Sequence, residues 1–178
     1  MTDKNNPANE AEIIDLEAYT RSDKQVPVGK RYKVRIDGED YVFDHAIVTR
    51  EEVLQKAQKS PVECFSLYLK LKGCDFELIR PHQEENLAEG GVEHFITKPP
   101  MVYHYLVDSD PETTEAQEMT PNQILADSGH TPLAEYYLVQ INPDGSQTSY
   151  EQTPEKPIRM KCPAMKFSAI FKGETPVS

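Results

Sequence analysis

Positive charge is in short supply: 19 Lys and Arg stand against 30 Asp and Glu, giving a net charge of −11 and an isoelectric point near 4.9. Such a chain repels a phosphate backbone instead of neutralising it, which excludes nucleic acid as an expected partner. Long apolar runs are missing too. No stretch approaches the roughly 18 apolar residues of a membrane span, and the start lacks the basic-then-apolar order of a secretory leader, so a soluble, cytoplasmic protein is expected. Cysteine is scarce. Cys64, Cys74 and Cys162 are odd in number and show neither C-x-x-C spacing nor the density of a small secreted scaffold, so no disulfide frame or zinc knuckle is implied. Apolar residues make up only 38%, below the roughly 45–50% of ordinary globular chains, which predicts a flank that packs no core.

That flank is residues 1–29, where six acidic and three basic residues mix with Asn and Pro. The composition reads as a flexible, disordered acidic arm. Its one apolar stretch, between Ile13 and Tyr19, reads as a frayed helical turn that could dock on a partner or on the folded body, with Ile13 and Leu16 as anchors. From Arg31 the pattern changes. Tyr32, Val34 and Ile36 alternate with Lys33 and Arg35, the period of a half-buried strand; Asp37-Gly38 makes a tight turn, and Tyr41–Phe43 completes a hairpin. Thr49 with Glu52 three residues on forms a capping box for a helix of about three turns carrying Val53, Leu54 and Ala57 on its buried stripe. Alternation resumes at Phe65, Leu67, Leu69 and Leu71, and short strands follow at 76–79 and 92–97.

The second half repeats the first at an offset of 71 residues, and internal repeats at such a period signal stacked structural units. Tyr103, Tyr105 and Val107 fall where Tyr32, Val34 and Ile36 fell. Thr120 replaces Thr49 as the cap, with Pro121 at the first helical position and Gln123 at the reciprocal capping position. Ile124 and Leu125 stand for Val53 and Leu54, Pro132 for Pro61, and Tyr136 and Leu138 for Phe65 and Leu67. Near the end the register slips by one, because Phe167 answers Phe95. The loop between Val107 and Thr120 is acidic and poor in apolar residues, so the strand expected within it has only a weak signal. These observations predict an α+β protein of two tandem β-grasp domains, residues 30–98 and 99–172, followed by a tail, 173–178. Lys98-Pro99-Pro100 is the joint, stiffer than a Gly/Ser linker. The two domains differ in charge: eleven basic against thirteen acidic residues, net −2, in 30–98, and five against eleven, net −6, in 99–178.

Signals for chemistry are few. The histidines at 45, 82, 94, 104 and 130 form no i, i+4 pair and lie beside no cysteine arrangement, so no metal site is expected. Cys64 and Cys74 read as small hydrophobes or inert thiols. No nucleophile elbow, P-loop or dinucleotide fingerprint is present, so neither catalytic residues nor a cofactor is expected and the chain reads as a non-enzyme. Gly90-Gly91 reads as a loop turn, since cleavage after it would remove the 92–97 strand. Gly173 differs, because it lies two residues beyond the last apolar strand and only Glu174–Ser178 follow. A glycine there presents a carbonyl that no Cβ obstructs. A plain strand-ending glycine is the alternative.

Residues 31–97, through Arg-Tyr-Lys-Val-Arg-Ile-Asp-Gly, Ile-Val-Thr-Arg-Glu-Glu-Val-Leu, Leu-Tyr-Leu-Lys-Leu-Lys-Gly and Gly-Val-Glu-His-Phe-Ile-Thr, resemble the bacterial multiubiquitin domain family. The tandem plan also resembles ubiquitin-like modifiers of the interferon-induced kind. The resemblance implies a protein attached to targets through its C-terminus by isopeptide linkage, with a ubiquitin-activating-like enzyme, a ubiquitin-conjugating-like enzyme and a JAB-type deconjugating metallopeptidase as partners, in defence against phage. It places conjugation at Gly173 after removal of Glu174–Ser178, or at Ser178 if the chain is used whole. Seven residues beyond Phe171 can span up to about 24 Å, whereas trimming leaves only two. The rival reading is a non-covalent β-grasp adaptor that docks proteins through its sheet faces.

Overall fold

The computed structural model describes residues 12–173, dividing between Pro99 and Pro100 into two compact units. The architecture is α+β and mostly sheet. In the first unit, β1 (Ile13–Asp15) and α1 (Leu16–Arg21) precede β2 (Arg31–Ile36) and β3 (Glu39–Phe43). Then come β4 (Ile47–Thr49), α2 (Arg50–Lys56), β5 (Ser66–Leu71), β6 (Phe76–Ile79), β7 (Glu84–Asn86) and β8 (Val92–Lys98). β2 and β3 form the expected hairpin, with Asp37 and Gly38 both at positive φ (49° and 88°), the geometry that lets a two-residue turn follow the strand twist. β8 lies antiparallel to β5 and meets β2 in parallel at Ile36↔Phe95. The alternating inner faces of β2, β5 and β8 bury Tyr32, Val34, Ile36, Leu67, Leu69 and Phe95 against Val53 and Leu54 of α2.

One expectation fails here. Residues 12–29 are not a loose arm, because β1 pairs in parallel with β2 (Ile14↔Tyr32), and Ile14, Leu16 and Val26 are core residues. Asp15 caps α1 by accepting from the Ala18 amide at 3.2 Å and pairs with Lys33 at 2.7 Å. Glu17 pairs with Arg35 at 3.0 Å, Thr20 Oγ1 donates to Val92 O at 2.8 Å, and Tyr32 Oη donates to Pro27 O at 2.8 Å. Burial alone would raise the Asp15 carboxyl's pKa, but the Lys33 ammonium and the helix-capping bond outweigh it and hold the group below its ordinary range. The expected anchors are half right: Leu16 is buried, whereas Ile13 points outward and its neighbour Ile14 does the packing. Residues 1–11 of the expected arm lie outside the described residues.

The second unit holds β9 (Tyr103–Val107), β10 (Asp110–Thr114), β11 (Glu118–Met119), α3 (Pro121–Asp127), β12 (Tyr136–Ile141), β13 (Gln147–Ser149), β14 (Ile158–Arg159) and β15 (Met165–Phe171). Its sheet order, β10-β9-β15-β12-β13, puts the last strand in the middle. Many backbone details recur at the 71-residue offset. Lys59 N bonds Leu54 O and His130 N bonds Leu125 O, both at 2.9 Å, and Gln58 and Gly129 share a positive φ. Asp37 N reaches Phe95 O and Asp108 N reaches Phe167 O, both at 3.0 Å. That last pair contains the one-residue slip. β10, whose sequence carries only a weak strand signal, exists because the Asp108–Ser109 turn folds it against β9 over five residue pairs; as an edge strand it needs few apolar side chains. The predicted capping box is complete at α3, where Thr120 Oγ1 accepts from Gln123 N and Gln123 Oε1 accepts from Thr120 N. At α2 only Thr49's half is made; Glu52 lies 2.7 Å from His45 Nε2 instead.

Two predictions follow from the first unit. Leu16→Ala removes a fully buried side chain and is expected to lower its stability by about 2–4 kcal/mol, while Ile13→Ala on the exposed face costs under about 1 kcal/mol; equal effects in denaturant unfolding would contradict a docked β1–α1 segment. Asp37 accepts from Thr97 N at 2.7 Å and Thr97 Oγ1 at 2.6 Å, and pairs with Lys59 at 3.0 Å. Although burial opposes it, these partners lower the carboxyl's pKa from 3.8. The stabilisation is therefore full at pH values above the unfolded carboxylate's and is lost as pH falls through the folded value. Asp37→Asn should cost about 1–2 kcal/mol at pH 7 and shrink the acid-induced loss of stability; an unchanged acid limb would contradict this role.

Candidate functional site at the C-terminal strand

β15 is held on both edges. Six residue pairs join it to β12, from Tyr136↔Phe171 to Ile141↔Lys166, and three join it in parallel to β9. Its alternation buries Phe167 in the core, edge-to-face with Tyr105, and turns Ile170 outward. Strand bonding continues one residue past the strand, since Lys172 N donates to Glu135 O at 2.7 Å. Gly173 comes next and is exposed. Of the two predicted termini, the structure thus places Gly173 immediately beyond the last backbone bond of the central strand; Ser178 lies outside the described residues.

The surroundings of Gly173 are aromatic, which sequence reading did not anticipate. The Phe171 ring, 55% exposed, meets Tyr136 edge-to-face at 5.5 Å, and Tyr136 meets His130 at 5.3 Å. His130 is fixed at both ring nitrogens: Ser128 Oγ lies 3.0 Å from Nδ1, and Asp108 Oδ2 lies 3.3 Å from Nε2. The row therefore runs from the β9–β10 turn to the chain's exit. The repeat offset was the available signal, because Asp108 and His130 stand where Asp37 and Lys59 form their ion pair. A Cβ built on Gly173 would overlap the Phe171 ring. Any side chain at this position makes the exposed Phe171 ring turn aside. Gly90 and Gly91, at φ 85° and 78°, sit inside the first unit, with Gly91 O accepting from Lys72 N at 2.9 Å, as a loop turn should.

Among the described residues no group of three or more His, Cys, Asp or Glu could hold a metal ion, and no helix is long and apolar enough to cross a membrane. Cys74 is exposed and free; Cys64 and Cys162 are engaged, so the reading of Cys64 as an inert thiol does not hold. The Tyr105 hydroxyl, in the second core, has no hydrogen-bond partner; burial first, then the charges of Asp127 and Glu112, pushes its pKa up to about 12.

Gly173→Ala is expected to drive the Phe171 ring off the tail and away from Tyr136, shifting the aromatic proton resonances of both rings. Unmoved resonances would contradict the contact.

Comparison with known proteins gives two findings. No curated protein matches the chain. Residues 32–99 match the family model described as Multiubiquitin, a span that begins on β2 and ends at the joint, so the first unit is similar to a multiubiquitin-type, ubiquitin-like domain.

Proposed function

We propose that this protein is a bacterial ubiquitin-like modifier, made of two tandem β-grasp domains (30–98 and 99–172) and a tail (173–178), that is attached through its C-terminus to target proteins. The observation that carries the reading is where the last strand leads: the central strand of the second sheet delivers Gly173 to the surface directly after its last hydrogen bond. A glycine that follows an anchored strand meets another enzyme at a fixed place, and presentation is all the chemistry asks of the modifier. Domains of the ubiquitin-like kind are typically not enzymes, and the partners supply the reactive groups.

In this scheme a ubiquitin-activating-like enzyme lets the terminal carboxylate attack the α-phosphate of ATP, forming an acyl-AMP and releasing pyrophosphate. A cysteine thiolate then displaces AMP to form a thioester, and a ubiquitin-conjugating-like enzyme passes the acyl group to an amine of the target. A JAB-type metallopeptidase hydrolyses the isopeptide bond. The setting is the cytoplasm and the role is defence against phage. Removal of Glu174–Ser178 precedes activation, because Gly173 is the tail residue with no side chain to obstruct a narrow channel.

Incubating the cognate activating enzyme and ATP with the full-length chain, and with a chain ending at Gly173, tests this. A thiol-sensitive adduct from the shortened chain is the expected result. An adduct from the full-length chain alone would move the site to Ser178, and no adduct from either would favour the non-covalent adaptor.

A further inference from the structure

The two units differ at one edge. In the first, β3 takes one edge of β2, so β1, beside Arg31–Lys33, and β8, reaching Ile36, share the other. In the second unit β10 takes one edge of β9 and β15 covers the other only at Tyr105–Val107. Val102–His104, the counterpart of Arg31–Lys33 at the 71-residue offset, therefore has no strand on that side among the described residues. Met101 and Val102, which lead into it, are 57% and 38% exposed.

The space beyond that edge differs in the same way. In the first unit α1 and the loop after it close against the start of β8: Thr20 bonds Val92 O, and Lys72 Nζ reaches Thr20 O at 3.1 Å and Asp23 at 2.6 Å. The corresponding place in the second unit, between the β12–β13 turn and the start of β15, is an open cavity of about 540 Å³ lined by Ile141, Pro143, Pro163, Met165, Lys161 and Lys166 among others. Its lining includes two lysines and no carboxylate, although residues 100–178 hold eleven acidic residues and only five basic ones. An unpaired strand edge supplies main-chain bonds to an added strand, and neighbouring pockets select its side chains.

We propose that the second unit binds an acidic, apolar segment of a partner protein, which adds as a strand parallel to Val102–His104 and seats its following turn in this cavity. The first unit shows the form such a segment takes: β1–α1, whose Ile14 and Leu16 pack inward while Asp15, Glu17 and Asp23 pair with basic side chains. This inference is independent of covalent attachment.

A labelled synthetic peptide of residues 12–23, net charge −3 by sequence, titrated onto the full-length protein is the probe, with amide shifts followed by NMR. Saturable binding that perturbs the amides of 102–104 is expected, weakening about tenfold or more in Lys161→Glu/Lys166→Glu and with a peptide in which Asp23 is replaced by Lys. Because peptide exchanging into the first unit would ignore the lysine variant, the two sites are distinguishable. An unchanged thermal transition of the lysine variant confirms that it is folded. Absence of saturable binding up to about 1 mM peptide, or binding indifferent to the lysine variant, overturns the proposal. A dimer of the full-length protein that dissociates in the lysine variant would also overturn it, assigning the edge to a second copy.

Discussion

In each unit the closing strand is tied to the first hairpin by an aspartate at the hairpin turn. Asp37 takes the Thr97 amide at 2.7 Å, and Asp108 takes the Ala169 amide at 3.1 Å, while the turn's own amide bonds back to Phe95 or Phe167. This contact fixes where the last strand lies beside the first, a non-local pairing that no turn can enforce. Phe95 and Phe167 are thereby set in the two cores, α2 and α3 gain a surface to cover, and in the second unit the exit of the chain is determined. The side chain that meets the aspartate at each site, Lys59 or His130, follows the end of the helix, so one aspartate joins turn, helix end and closing strand.

Much of this was legible from pattern. Alternation located β2 and β5, short apolar runs located β8 and β15, the Thr caps located α2 and α3, and the 71-residue offset located β9 and β12. The one-residue slip before Phe167 was also visible, and it corresponds to Asp37 meeting Thr97 where Asp108 meets Ala169. What escaped was structure made by pairing and not by propensity. β10 contains Pro111 and no large apolar residue, and it is a strand because β9 offers it an edge. The segment 12–29 looked like an arm since only Ile14, Leu16 and Val26 anchor it, too few to form a signal, yet each is almost wholly buried. At the candidate site, Gly173 was readable as a terminal glycine, whereas the aromatic row beneath it depends on cross-strand register (Tyr136↔Phe171).

The units are therefore not equivalent copies. The first completes its own sheet with a strand and helix from its N-terminal side and stabilises them with Lys33, Arg35 and Lys72. At the corresponding positions the second has His104, Leu106 and Pro143; among the described residues no strand pairs with Val102–His104 on the β15 side, and two lysines line the cavity at the start of β15. The first unit thus carries a strand and a helix at a place where the second has neither among the described residues.

Attachment through the carboxyl end is the central claim, and its most direct measurement is mass spectrometry of chymotryptic peptides from cells that express this protein with its partner enzymes. Cleavage after Phe171 should leave a Lys-Gly remnant, residues 172–173, on amines of target proteins. Targets bearing no remnant of this chain, with the protein recovered only in free form, would contradict the account.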